Sequence, residues 1–213
     1  MIYLTFDELG FDEVGRGCIA GPITVGCVAL TPESCNYLEK IGVKDSKMIK
    51  KTKSSNPYKS RKKMNYLAEE IKDASLDYGI GCASPKEIDT FGLNLATKLA
   101  LKRACSQISI PINKYCIDGY PIFDIEDKKS QFYKKGDTYI LQIACASIIA
   151  KDYRDRFMIN LSQNFDMYNF QNNVGYGTKD HIEAIKKYGI IPEHRKSTRT
   201  IKRINHDSNK NQV

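Results

Sequence analysis

The sequence predicts an α/β layer fold, in which helices pack against a sheet. Strand-like segments come first along the chain, and helix-like and strand-like segments alternate after them. Residues 22–30 are apolar and rich in β-branched side chains, which is typical of a buried strand. Residues 140–165 are apolar nearly all round at their start and charged later. This pattern predicts a long helix whose first turns are buried.

The N-terminal segments predict a β-hairpin. Residues 3–11 have the character of a short strand, although Asp7 and Glu8 interrupt it. The tight turn at 15–21 joins this strand to residues 22–30. We therefore expect the two strands to pair with each other.

A basic segment follows the hairpin. Residues 50–63 contain seven Lys or Arg and no acid, a pattern typical of a solvated face or loop. A helix is then expected at 60–74, and a third strand at 77–83.

The next helix carries a start signal in its sequence. Ser84 and Glu87 are spaced for a capping box around Pro85. Gly92 predicts a kink or break in this helix. Beyond the break, we expect an apolar face that runs towards Cys105 and contains Leu95, Leu99 and Ala100.

The segment before the long helix is mostly polar. Residues 115–117 predict a short strand that ends at Asp118-Gly119. A polar loop is expected from there to Gly136-Asp137, immediately before the long helix.

The C-terminal part predicts a shorter helix at 179–188 and a polar, frayed tail at 205–213. Residues 1–204 are expected to form one domain, since 213 residues with 41% hydrophobic side chains suffice for one core.

Composition points to a polyanionic partner. The formal net charge is +8, which favours nucleic acid or another anionic surface without choosing between them. The seven cysteines form no close pairs, which favours buried thiols in a reducing compartment over a zinc site. The chain has no apolar run of membrane-spanning length and no basic-then-apolar leader, so we expect a cytosolic protein without a membrane partner.

Acidic side chains stand at the ends of apolar segments. Asp12 and Glu13 end the first strand, Asp118 ends a later one, and Asp137 precedes the long helix. Taken alone, Asp137 is typical of a helix cap and Asp118 of a turn. The adjacent Asp12 and Glu13 are harder to explain, because neighbours on a strand face opposite sides and one would face the core.

Converging carboxylates would repel one another unless a cation were bound between them. All-oxygen ligands favour Mg²⁺ or Mn²⁺ over zinc. In a basic protein, such cations would suit cleavage of a nucleic-acid phosphate. Other chemistries have less support, since the sequence lacks a nucleophile elbow and a Walker A loop.

Ordered motifs extend from about residue 10 to residue 197. The first is Asp12-Glu13-Val14-Gly15-Arg16-Gly17 with Ala20-Gly21-Pro22. The others are Asp45-Ser46-Lys47, Ser84-Pro85-Lys86-Glu87-Ile88-Asp89, Asn94-Leu95-Ala96-Thr97, Ile117-Asp118-Gly119, Lys135-Gly136-Asp137, Ala144-Cys145-Ala146-Ser147-Ile148-Ile149-Ala150-Lys151, Arg154-Asp155, Gly175-Tyr176-Gly177-Thr178 and His194-Arg195-Lys196-Ser197. Taken together, these segments resemble the type 2 ribonucleases H, in particular ribonuclease HII.

This resemblance implies an RNase H-like mixed sheet flanked by helices, with a small helical C-terminal portion. It implies hydrolysis of RNA paired with DNA and incision 5′ to ribonucleotides embedded in duplex DNA, giving 3′-hydroxyl and 5′-phosphate ends. The implied cofactor is Mg²⁺ or Mn²⁺. The implied catalytic and metal-binding residues are Asp12, Glu13, Asp118 and Asp137.

The resemblance also implies substrate contacts. Gly15, Arg16 and Gly17 would read the 2′-hydroxyl and the junction with DNA, and Tyr176 would stack on the sugar that follows the cut. Lys47, Ser147 and Lys151 are further candidate contacts, with solvated lysines and a packing serine as the alternative interpretation.

The sequence departs from the family pattern at three places that leave the four acids unchanged. Val174 stands where a lysine is frequent, which puts one phosphate contact in doubt. Asp152-Tyr153 replaces a pair that is usually apolar or small, and Thr198 replaces a frequent aromatic residue. We interpret His181 and His194 as surface or structural residues.

Two other functions are compatible with parts of the pattern. A junction resolvase of the same fold would share the clustered acids but would not need the Gly-Arg-Gly and Gly-Tyr-Gly segments. A non-catalytic nucleic-acid-binding protein would tolerate loss of the acids, and all four are present. We expect a monomer, because no exposed apolar pattern stands out.

Overall fold

The computed structural model describes residues 1–43, 57–121 and 129–210. Its sheet has five strands in the order β3-β2-β1-β4-β5. The β1–β2 and β2–β3 pairs are antiparallel, whereas β1–β4 and β4–β5 are parallel. The strands are β1 (Glu8–Val14), β2 (Ile23–Ala29), β3 (Asp77–Ala83), β4 (Lys114–Asp118) and β5 (Ser130–Tyr133).

The helices flank this mixed sheet, as the sequence predicted. Short 3₁₀ turns at Gly136–Thr138 and Asp166–Tyr168 separate some of them. The helices in the described ranges are α1 (Pro32–Lys40), α2 (Pro57–Ala74), α3 (Pro85–Phe91), α4 (Leu93–Cys105), α5 (Leu141–Ser162), α6 (Phe170–Asn173), α7 (Lys179–Tyr188) and α8 (Arg199–Lys210).

Apolar clusters lie on both faces of the sheet. On one face, α1, α2 and α5 pack together through residues such as Leu38, Leu67 and Ile149. On the other face, α3 and α4 cover β1 and β2, with Ile88 and Leu101 among the buried residues. The C-terminal helices form a further cluster around the end of α5.

Two glycines let α5 lie directly on the sheet. A Cβ atom at Gly10 on β1 would lie 2.6 Å from the Gln142 carbonyl carbon. One at Gly26 on β2 would lie 2.5 Å from the Ala146 carbonyl oxygen. Because such distances exclude a side chain, α5 crosses the β1–β2 pair at backbone contact. This crossing brings α5 next to the end of β1.

Most of the predicted elements are confirmed. The hairpin forms, with Phe11 opposite Cys27, and the strand within 22–30 is fully buried. Ser84 and Glu87 form the predicted capping box, and the helix breaks at Gly92. The first turns of α5 are buried, and α7 has the predicted bounds.

Several boundaries were wrong. The strand predicted at 3–11 begins at Glu8 and continues to Val14, so Asp7 and Glu8 do not interrupt it. The helix predicted from residue 60 begins at Pro57, and the long helix ends at Ser162. The polar loop before Gly136 contains β5, and the tail predicted to fray after Ile204 continues α8 to Lys210.

The predicted apolar face of α4 is confirmed at Ala100, which is buried, but was wrong at Leu95, which is exposed, and at Leu99, which is only partly buried. The buried residues of α4 are Ala96, Thr97, Ala100, Leu101 and Ala104. The Asp45-Ser46-Lys47 motif lies outside the described residues, so the prediction for Lys47 has no structural outcome. Within the described part of the chain, no helix is long and apolar enough to cross a bilayer.

Candidate active site

Three aspartates from separate segments meet at one edge of the sheet. Parallel pairing sets Phe11 of β1 opposite Ile117 of β4, so the following residues, Asp12 and Asp118, lie side by side. Asp137 reaches the same point from the 3₁₀ turn before α5. One carboxylate oxygen from each aspartate lies within 4.8 Å of the other two.

Asp137 is not a cap of the long helix. The N-cap of α5 is Ile140, and no side chain caps that helix. Asp137 is only 1% exposed and belongs to the aspartate group. The cap interpretation of Asp137 is therefore wrong.

Glu13 lies beside the group but is not part of it. Its neighbour Asp12 accepts a hydrogen bond from the Glu13 backbone N–H at 2.8 Å. The Glu13 side chain lines the cleft in front of the aspartates together with Asp12 and Asp118. The structure therefore brings three of the four predicted acids into mutual contact range and places the fourth at their side.

Burial and charge repulsion both disfavour the ionised form of Asp12. Burial and the Asp118 carboxylate raise the pKa of Asp12 well above its usual value, and Glu13 and Asp137 add to the rise. A hydrogen bond with Ser147 acts in the opposite direction. Three carboxylate oxygens at this spacing are ligands that suit a hard divalent cation, and such a cation would remove the repulsion.

A cleft of about 300 Å³ opens in front of the aspartates. Most of the residues that the sequence analysis proposed for the site share this cleft, although they come from four separate segments. The cleft is lined by Asp12, Glu13, Val14, Gly15, Arg16, Gly17, Asp118, Ser147, Lys151 and Tyr176.

Contacts of Arg16 reveal residues that the sequence analysis did not assign. The Arg16 guanidinium donates to the Asn94 side-chain oxygen at 2.6 Å and to the Thr97 hydroxyl at 3.4 Å. Both partners lie on α4, within the segment Asn94-Leu95-Ala96-Thr97. Asn94 and Thr97 thus orient Arg16 at the rim of the cleft.

Arg154 of α5 holds the loop between β1 and β2 from below. It is fully buried and donates to the carbonyl oxygens of Pro22 at 2.9 Å, Ala20 at 2.9 Å and Val174 at 2.7 Å. These three bonds join the loop that contains Gly-Arg-Gly to the segment before Tyr176. They are strong, because their donor is a charged guanidinium.

A second buried guanidinium, that of Arg195, supports the same loop. It donates to the carbonyl oxygens of Gly21 at 2.8 Å, Pro22 at 3.0 Å and Arg16 at 3.4 Å. Burial lowers the pKa of Arg195 to about 10, so the group remains charged at neutral pH. Arg154 and Arg195 are called the arginine pair below.

Other predicted contacts have structural roles as well. Lys151 lines the cleft and forms an ion pair with Asp155, one helical turn further along α5. Val174, at the position where a lysine is frequent in the family, packs into the C-terminal cluster and is buried. It therefore cannot supply the positive charge that such a lysine would offer to a phosphate.

The two histidines are buried rather than exposed. The Nε2 atoms of His181 and His194 lie 3.1 Å apart, and the rings contact Tyr168 and Phe170. Burial lowers the pKa of His194 to about 4. The structural interpretation of both histidines therefore fits, whereas the surface interpretation was wrong.

Comparison with known proteins agrees with this geometry. The family model for ribonuclease HII matches residues 9–204. This chain belongs to the ribonuclease HII family. It is therefore a ribonuclease H, an endonuclease that hydrolyses phosphodiester bonds, and the junction resolvase and non-catalytic alternatives lose their support.

Known ribonucleases are similar to this chain over most of its length. Ribonuclease HII of Staphylococcus carnosus is 39% identical over 196 residues, which cover 92% of this chain and 69% of that protein. The crystal structure of ribonuclease H2 from Pyrococcus horikoshii has a TM-score of 0.74 and 26% identity, and covers 95% of this chain and 99% of that one. Both agree with the family assignment.

A more distant structure shares the fold alone. The crystal structure of Bst-RNase HIII in complex with Mn²⁺ has a TM-score of 0.70 and 16% identity. The alignment covers 97% of this chain and 71% of that one.

Proposed function

We propose that this ribonuclease cleaves the RNA strand of RNA–DNA hybrids and incises DNA 5′ to embedded ribonucleotides, leaving 3′-hydroxyl and 5′-phosphate ends. The observation that carries the proposal is the meeting of Asp12, Asp118 and Asp137 next to a cleft that Asp12, Asp118 and the Gly-Arg-Gly loop line together. In this proposal, the aspartates bind the metal at the cleavage site, and the Gly-Arg-Gly loop contacts the sugar of the ribonucleotide.

The aspartate group would hold Mg²⁺ or Mn²⁺, with Glu13 as a further ligand. The donor set supports this assignment, because it consists of carboxylate oxygens alone. A divalent cation supplies, when bound, stabilisation of the charge on the phosphate and activation of the attacking water. The Bst-RNase HIII structure, which shares the fold, is a complex with Mn²⁺, and this supports Mn²⁺ as one of the two candidates.

The chain itself would orient the substrate around that point. Gly17 is exposed at the rim, and a Cβ atom there would meet no protein atom within 4 Å, so the backbone is open to a sugar. Only the 2′-hydroxyl distinguishes RNA from DNA at one nucleotide, and glycine permits its close approach. Gly15 would shape the loop, and Arg16 would donate to phosphate.

Tyr176 and two residues of α5 complete the proposed contacts. Tyr176 is 43% exposed, so its ring can stack on the sugar that follows the cut. Lys151 would attract the phosphate backbone, and Ser147 would orient Asp12 through their hydrogen bond. Lys47 stays a predicted contact.

The biological setting is also part of the proposal. None of the seven cysteines, all within the described ranges, forms a disulfide, which supports a cytoplasmic location. That residues 1–204 act as one catalytic domain and as a monomer stays a prediction.

A labelled DNA duplex with a single ribonucleotide tests the proposal. Wild-type protein should cut it 5′ to the ribonucleotide with Mg²⁺ or Mn²⁺, and a chelator should stop the reaction. Asp137→Asn should abolish cutting but keep hybrid binding, whereas Asp180→Asn, an exposed acid on α7, should cut normally.

Three results would contradict the proposal. If the protein cuts long RNA–DNA hybrids but not the single-ribonucleotide duplex, the Gly-Arg-Gly loop does not recognise the junction between RNA and DNA. Normal activity of Asp137→Asn would remove Asp137 from the metal site. Inactivity of the wild-type protein on both substrates would overturn the proposed reaction.

A further inference from the structure

A second cavity adjoins the active-site cleft. Its volume is about 170 Å³, and it shares Glu13, Arg16 and Asp118 with the larger cleft. These three side chains therefore form a wall between two neighbouring spaces. The remaining lining residues of the second cavity are Ile117, Gly119, Tyr120 and Phe132.

One side of this cavity is aromatic. Phe132 and Ile117 contribute to the apolar cluster beneath the sheet, so they form a fixed floor. Tyr120, by contrast, is 59% exposed. The Lys134 ammonium lies 5.6 Å from the centre of the Tyr120 ring, within cation–π range. An accessible ring with a cation beside it is the combination that binds the sugar or base and the phosphate of a nucleotide.

The position of Tyr120 is coupled to the catalytic group. It follows Asp118 by two residues, directly after Gly119, whose φ of 98° turns the chain at the end of β4. The Gly119 N–H donates to the Tyr133 carbonyl oxygen at 2.9 Å, which holds this turn against β5. The ring is thus attached through a short, hydrogen-bonded turn to a carboxylate of the aspartate group.

The two tyrosines line different cavities, which share Glu13, Arg16 and Asp118. Tyr176 lines the larger cleft, and Tyr120 lines the second cavity. A strand whose scissile phosphate sits at the aspartates would therefore pass two adjoining cavities, each with one tyrosine ring. Tyr176 is assigned above to the sugar that follows the cut, which leaves the preceding nucleotide for Tyr120.

We propose that the cavity of Tyr120, Phe132 and Ile117 binds the nucleotide on the 5′ side of the scissile phosphate. The Tyr120 ring stacks on that nucleotide, and Lys134 contacts its phosphate. This subsite rests on the proposed function, because it takes the aspartate group as the position of the cut. Its ligand is the nucleic-acid strand itself.

Binding measurements on non-cutting protein test the subsite. In the Asp137→Asn background with Mg²⁺, fluorescence anisotropy gives Kd for a labelled duplex that extends on both sides of one ribonucleotide. Adding Tyr120→Ala should raise Kd about tenfold, the size expected for loss of one aromatic stacking contact. Adding Tyr120→Phe should leave Kd unchanged, because the ring remains.

A shortened duplex locates the contact. When the labelled strand begins at the ribonucleotide, with a 5′-phosphate and no preceding nucleotide, Tyr120→Ala should not change Kd. Tyr188→Ala is the matched control, since Tyr188 is 51% exposed with the Lys187 ammonium 4.9 Å from its ring, yet lines neither cavity. It should bind both duplexes like the parent protein.

The outcomes separate this proposal from the proposed function. If Tyr120→Ala behaves like Tyr188→Ala, or weakens both duplexes equally, the subsite is wrong even though the wild-type protein cuts. If Tyr120→Phe raises Kd as much as Tyr120→Ala does, the ring does not stack on the nucleotide and the proposed contact is wrong. If the wild-type protein does not cut, the proposed reaction is wrong. The effect of Tyr120→Ala on Kd for the long and the shortened duplex then still shows whether Tyr120 contacts the preceding nucleotide.

Discussion

Alanine at Gly17 is expected to damage activity without damaging the fold. The Cβ of alanine would meet no protein atom within 4 Å, and the Gly17 φ lies outside the left-handed region. Gly→Ala changes at compatible positions typically stabilise a protein by about 0.4–1 kcal/mol. For a chain of this size the melting temperature should therefore stay constant or rise by about 1–4 °C.

Gly15 provides a contrasting variant in the same loop. Its φ is 90°, and a Cβ there would lie 2.3 Å from Arg154 Nε and 2.9 Å from the Pro22 carbonyl oxygen. The backbone strain and the displaced arginine should together cost about 2–4 kcal/mol, which lowers the melting temperature by roughly 5–15 °C.

The assay compares kcat/KM on the single-ribonucleotide duplex with the melting temperature of each variant. Gly17→Ala should lose at least about tenfold in kcat/KM, or about 1.4 kcal/mol of transition-state stabilisation, because its methyl group would occupy the space proposed for the sugar. Full activity of Gly17→Ala would show that no sugar approaches Gly17. A large fall in its melting temperature would show that the loop geometry is wrong.

Two further predictions concern buried ionisable groups. Asp12→Asn should raise the melting temperature of the metal-free protein by a few degrees, because it removes a buried carboxylate that is also repelled by Asp118. The same variant should lose part of the stabilisation that Mg²⁺ gives the wild type, and no change in either melting curve would contradict the metal site. The pKa of His194 in the folded protein is lowered to about 4. As the pH falls below about 6.5, the unfolded chain therefore binds a proton at this histidine and the folded protein does not. The free energy of unfolding should drop by about 2 kcal/mol between pH 7 and pH 5 because of this group. Urea unfolding should show that this drop shrinks in His194→Gln and persists in His206→Gln; an unchanged drop in His194→Gln would assign it to other groups.

The position of the acids could be predicted because it follows from strand geometry. Asp12 and Asp118 end apolar segments, and parallel neighbours carry their C-terminal ends to the same edge of the sheet. The role of Asp137 was harder to predict, since an acid before a helix resembles a cap. Only the turn at Gly136–Thr138 directs it to the other two aspartates.

The face of α4 could not be predicted from hydrophobicity. A Cβ at Gly81 would lie 2.0 Å from the Ala100 carbonyl oxygen, and one at Gly79 would lie 2.2 Å from that of Ala104. Because β3 and α4 approach this closely, alanines fit between them, whereas Leu95 lies exposed outside the contact. Such an approach depends on pairing between distant segments, which a local pattern does not contain.

The structural role of the arginine pair and the existence of β5 were missed for different reasons. Both arginines stand in motifs of the family resemblance, but their partners are backbone carbonyls, which every residue has, so the sequence does not show which segments they join. Strand β5 is only four residues long and sits at the sheet edge, where half-buried side chains leave a weak apolar pattern.

The arginine pair has a consequence for how the enzyme meets its substrate. Its guanidinium groups hold the carbonyl oxygens of the loop between β1 and β2 as part of the folded core. The conformational entropy of ordering this loop is therefore lost during folding rather than on binding. Under the proposed function, the loop would offer a preorganised template, and a ribonucleotide would be accepted or rejected by rigid fit rather than by loop closure.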